Sequence, residues 1–112
     1  VTPLIFRLET FAAHTLLGLF RILGPVRASD LGGAVARAIG PRLPVSRVAD
    51  INLRLAMPEL DEAGRRRVIH GAWENLGRTM GEFPHIATLR ETASGPGWEV
   101  AGTETLAAVR AK

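Results

Sequence analysis

Apolar positions recur at helical spacing through most of the chain, most clearly from Trp73 to Ile86, WENLGRTMGEFPHI. Ile69, Ala72, Leu76, Met80 and Phe83 fall on one side of a helical wheel with Trp73 beside them, the stripe of a helix laid on a core. Arg78 and Glu82 stand four apart on another face, basic before acidic, the weaker order for an exposed pair. Gly71, Gly77 and Gly81 each weaken a helix by roughly 1 kcal/mol relative to Ala. Three of them in one helix predict that another backbone or a ligand comes close. Asp61 is placed to cap this helix, which begins at Glu62.

Leu4 to Leu23 is apolar around most of its circumference and would be about 30 Å long as a helix, the thickness of a bilayer's hydrocarbon core. Its polar residues Arg7, Thr10, His14, Gly18 and Arg21 fall within an arc of about 80°. Glu9 and Thr15 lie outside it. Surface helices of soluble proteins usually carry a wider polar face. A narrow seam suits a helix immersed in lipid, with Arg7 and Arg21 near its ends where long side chains snorkel. Phe6, Phe11, Leu16, Leu17 and Phe20 would then face the membrane, and His14 is a seam residue. Three other readings share these residues: a secretory signal with a poor cleavage site at Val26-Arg27-Ala28, a buried helix of a soluble bundle, and a helix lying flat in the interface. A membrane anchor fits the pattern best.

The middle of the chain reads as shorter helices separated by Gly and Pro. Gly24-Pro25 ends the first. Ser29 is a candidate cap for Asp30 to Ile39, a stretch rich in Gly and Ala that lets two helices approach closely. Gly40-Pro41 stops it. Ser46 is a candidate cap for Arg47 to Met57, with Val48, Ile51 and Leu55 as its buried stripe and Pro58 as its end. Pro84 kinks or ends the long helix, although His85 to Leu89 can carry it one turn further. Ser94-Gly95-Pro96-Gly97 is a loop, Trp98 to Ala101 alternates like a strand, and Thr103 opens another helix. The fold class is mainly α, with four to five helices and one short strand, and the closing strand and helix resemble the opening of an α/β unit.

A chain of 112 residues with 46% apolar content is one domain at most and is not a disordered tail. It has no cysteine, which removes disulfides, thiolate metal sites and cysteine nucleophiles. All positive residues but Lys112 are arginine, and acidic residues nearly balance them, so the net charge is only +3. Nucleic-acid surfaces are usually more lopsided. Arg65-Arg66-Arg67 is the one basic run, read as a solvated helix face or as contacts for acidic headgroups or phosphates, with nucleic acid a distant third because no stacking aromatics lie nearby. His70 and Glu74 have a spacing that could bind metal, but two ligands are too few for a structural zinc site. An exposed helical contact between them is the ordinary explanation, and neither a metal nor a cofactor is expected.

A resemblance becomes specific from Arg47 to Ile86. Arg47, Asn52-Leu53 and Met57-Pro58 form one block, Trp73-x-Asn75-Leu76-Gly77-Arg78 a second, and Glu82 with Pro84-His85 a third. With the tail Trp98-Glu99-Val100-x-Gly102-x-Glu104-x-Leu106, the chain resembles the amino-terminal region of bacterial lipid A biosynthesis acyltransferases, the lauroyl/myristoyl late acyltransferases. The resemblance implies the amino-terminal helical part of an α/β acyltransferase fold, divided into a membrane-anchor helix (1–24), a helical subdomain (25–93) and the start of the catalytic domain (94–112). It implies transfer of a fatty acyl group from acyl carrier protein to a lipid A precursor, at the cytoplasmic face of the bacterial inner membrane, with membrane lipid as a partner and no nucleic acid. The family's His-x-x-x-x-Asp/Glu pair would supply a general base and its orienting carboxylate. Five residues beyond His14, His70 and His85 stand Leu19, Asn75 and Arg90. No catalytic residue is therefore assigned, and these residues alone are expected to be inactive. Arg78 and Glu82 are candidates for positioning the long helix.

Overall fold

The computed structural model describes residues 3–111. Four α-helices carry the chain: α1 (Pro3–Ile39), α2 (Val45–Ala56), α3 (Glu62–Glu82) and α4 (Thr103–Arg110). A 3-10 turn at Gly40–Arg42 joins α1 to α2, and a longer one, Phe83–Thr88, follows α3. Two short strands, β1 (Arg90–Glu91) and β2 (Gly97–Trp98), pair in parallel with Arg90 opposite Gly97. The strand expected over Trp98–Ala101 is therefore shorter, because only Gly97 and Trp98 find a partner.

α1 is two helices in one. Gly24 has φ 77° and ψ 167° and breaks the helical path, and Pro25 restarts it. Position 24 lies in the left-handed half of backbone space, which glycine enters without a side-chain clash. The second helix thus begins at Pro25 rather than Asp30, so Ser29 is an interior residue and not a cap. Ser46 is likewise inside α2, whose N-cap is Pro44. Asp61 does cap α3, accepting from the Gly64 amide at 2.6 Å.

The main contact lays segment 25–39 along α3. It is built from the smallest residues. A Cβ added at Gly77 would stand 2.1 Å from the Gly32 carbonyl oxygen, and one at Gly81 would stand 2.1 Å from that of Ala28. The glycines thus answer the expectation of a close backbone, whereas Gly71 faces open space. The stripe expected to lie on a core does not. Ile69 is buried, but Leu76, Met80 and Phe83 are exposed. They sit about a quarter-turn around α3 from the glycine face. α2 inverts its expected polarity too. Val48, Ile51 and Leu55 point outward while Ser46, Ala49, Asp50 and Leu53 turn inward.

Buried apolar side chains among the described residues are few: Phe20, Ala28 and Ile69. The radius of gyration is 18.8 Å, against about 13 Å for a closed domain of this length. The extended first segment and the thin core account for the difference.

Candidate functional site

Two polar stripes flank the glycine contact. On α3, Glu74, Arg78 and Glu82 recur every four residues; on α1, Ser29, Asp30 and Arg37 face them. The stem of Arg78 lies across Gly33, where a Cβ would fall 2.8 Å from its Cγ. Its guanidinium donates to Asp30 Oδ1 at 2.6 Å and to Glu74 Oε1 at 3.2 Å. Hydrogen bonding to Asp30 first, and then to Glu74, holds Arg78 above the ordinary arginine range. Arg37 donates to Glu74 Oε2 at 2.9 Å. Buried Ser29 donates to Glu82 Oε1 at 2.6 Å and receives a long bond of 3.5 Å from Arg78. Arg78 and Glu82 therefore meet through Ser29, while the ion pairs of Arg78 go to Asp30 and Glu74. Glu74 serves two arginines, so the helical contact expected between His70 and Glu74 gives way to these pairs.

A cleft of about 250 Å³ opens over this cluster, closed on its far side by Leu89 and residues 95–97. The cluster offers one hydroxyl and three carboxylates with guanidinium or hydroxyl partners, and no imidazole lies within it. Chemically it is a register lock. It fixes α1 against α3 beneath the cleft.

Two further contacts fasten the ends of the helix pair. Trp73 covers Gly40 so closely that a Cβ there would fall inside the indole. Its Nε1 donates to Ser46 Oγ at 2.8 Å, and Ser46 in turn donates to the Gly40 carbonyl at 2.8 Å. At the other end, buried His85 donates from Nε2 to the Phe20 carbonyl at 2.9 Å. Phe20 itself is only 5% exposed. This corrects its assignment to the membrane-facing set, because the Phe83–Thr88 turn comes down on that part of α1.

The basic run divides. Arg65, with its side chain 12% exposed, bonds Asp50 Oδ1 at 2.8 Å and the Leu60 carbonyl at 2.9 Å. It buttresses α2 through Nε and Nη1. The bond from Arg65, reinforced by Arg54, holds the Asp50 carboxyl below its ordinary value against the opposing effect of burial. Arg66 pairs with Glu62 at 2.6 Å, and Arg67 is exposed. A groove of about 680 Å³ lies between α2 and α3, with Arg42, Arg47, Arg54 and Arg66 among its walls.

The first segment displays the largest apolar surface. Phe11 is 72% exposed, Phe6 and Leu16 are exposed, and Leu17 is half-buried. His14 keeps to the polar seam, donating from Nδ1 to the Thr10 carbonyl at 2.8 Å. Among the described residues no helix is long and apolar enough to cross a membrane. The spanning helix expected over Leu4–Leu23 is thus not found, and Arg7, Glu9, His14 and Arg21 interrupt its apolar run.

Sequence reasoning missed Ser29, Asp30, Glu74 and His85 as contact residues. The density of Gly and Ala at 32–36 was the signal for the first three. A family model described as bacterial lipid A biosynthesis acyltransferase matches residues 5–112. No curated protein and no solved structure matches the chain.

Proposed function

We propose, for a chain that belongs to the bacterial lipid A biosynthesis acyltransferase family, that these residues form the amino-terminal, membrane-facing helical part of the enzyme. In this reading the whole protein moves a fatty acyl group from acyl carrier protein to a lipid A precursor, at the cytoplasmic face of the inner membrane. Segment 1–24 docks on the membrane, 25–93 is the helical bracket, and 94–112 leads into the catalytic domain. The observation that carries the reading is the division of labour on α1. Its first segment exposes phenylalanines and leucines, while its second is locked onto α3 through backbone contacts and ion pairs.

The reaction's general base and orienting carboxylate belong to a His-x-x-x-x-Asp/Glu pair beyond these residues. An acyl-transfer assay with acyl carrier protein as donor should find no turnover for residues 1–112. Turnover by that polypeptide would overturn the division. Reading the frame past Lys112 should reveal the pair within one short strand and loop. If it is missing, a membrane-bound helical module without catalysis replaces the enzyme. Removing residues 1–24 should shift the protein from the membrane fraction to the soluble one, and unchanged partitioning would remove the docking role.

A further inference from the structure

α2 is turned inside out. An ordinary surface helix buries its branched aliphatic residues and shows its polar ones. Here Val48, Ile51 and Leu55 point away from the protein, Leu55 at 79% exposed, while Ser46, Ala49, Asp50 and a single large aliphatic, Leu53, turn inward. Arg47 and Arg54 stand about 75° and about 95° from the centre of the outward apolar face, along one of its edges. Beyond them lies the 680 Å³ groove, whose walls also bring in Arg42 and Arg66. Arg54 and Arg66 are paired with Asp50 and Glu62. Among the described residues Arg42 and Arg47 have no carboxylate partner.

We propose that α2 is a second membrane-contact element, lying flat in the surface of an anionic bilayer. Val48, Ile51 and Leu55 enter the acyl region, and Arg42 and Arg47 meet lipid phosphates at the mouth of the groove. A helix of balanced overall hydropathy, with an aliphatic face edged by arginine, has the make-up of an interfacial helix. The charge pattern selects this occupant. An acidic protein partner would use the arginines and leave the aliphatic face uncovered. A second copy of the chain related by a two-fold axis would set arginine against arginine. The proposal rests on the membrane-facing reading of the chain, but on different residues from the first segment.

The chain has no cysteine, so Leu55→Cys and Phe11→Cys each accept one environment-sensitive fluorophore. Vesicles of phosphatidylcholine, with or without phosphatidylglycerol, carry bromine-labelled acyl chains as quenchers. The label at 55 should be quenched on vesicles containing phosphatidylglycerol, and each of Arg42→Gln and Arg47→Gln should weaken that binding about fivefold at low salt. Quenching at 11 without quenching at 55 overturns the proposal and leaves the membrane reading standing. Quenching at neither site overturns both. Equal quenching at 55 on neutral and anionic vesicles overturns the requirement for an anionic surface, and with it the proposal as stated. A label at 55 already shielded before vesicles are added would show that protein covers this face, and would also overturn the proposal.

Discussion

Segment 25–39 against α3, and the outward faces of α2 and segment 3–23, use opposite kinds of residue. The first contact is made by Ala28, Gly32, Gly77 and Gly81, and lined by ion pairs. The second surface is made of phenylalanine, leucine, isoleucine and valine that the described residues leave exposed. Side-chain size therefore runs against burial here. Small residues let two backbones approach until dispersion contacts and charge-assisted hydrogen bonds hold them, while bulky side chains are kept on display. In a bilayer environment this inversion is expected, because lipid accepts the large apolar groups that water rejects.

The sharpest way to break the comparison is to put a side chain into the seam. Gly77→Val should destabilise the protein by about 3 kcal/mol, read from denaturant unfolding. Tolerance of valine there would mean the helices do not meet through this face. Next, Ser29→Ala leaves Glu82 without its hydroxyl donor and should lower stability by about 1–2 kcal/mol in the same measurement. Gly71→Ala tests the converse, since nothing approaches that position. Alanine should raise stability by about 1 kcal/mol, separating the glycine that α3 does not need from the two that it does.

A smaller effect concerns Asp50. Its carboxyl is held below the ordinary value of 3.8, so its contribution is complete above that pH and is lost as pH falls through the depressed value. The melting temperatures of wild type and Asp50→Asn should differ at neutral pH and converge in acid. A constant gap would show that Arg65 draws nothing from the charge. The least effect on folding belongs to the displayed face. Leu55→Gln should change stability by no more than about 0.5 kcal/mol, while lowering retention on anionic vesicles in a flotation assay.

Breaks and ends were legible in the residues, because they depend on local chemistry. Gly24-Pro25 interrupts α1, Asp61 caps α3, and Pro84 turns its end into a tighter helix. Which face turns inward was not legible. A periodic stripe shows that a helix has two sides without saying what covers either. Ile69, Leu76, Met80 and Phe83 form a genuine stripe, yet only Ile69 is buried. Ser29 and Ser46 precede helical patterns, so each looks like a cap. In the fold each lies inside its helix, because the second half of α1 starts at Pro25 and α2 at Val45. The candidate site was half visible. Arg78 and Glu82 stood out, but Asp30, Glu74 and Ser29 join them only after a chain reversal that no local spacing records. The surroundings of Phe20 and Arg65 were hidden for a related reason, since the residues that meet them come from the Phe83–Thr88 turn and from α2.

The bond between His85 and the Phe20 carbonyl sets how the leading arm is carried. A carbonyl oxygen can only accept, so Nε2 must hold the hydrogen. The arm 3–23 is thus pinned near its base like a boom to a mast, a few residues before the break at Gly24.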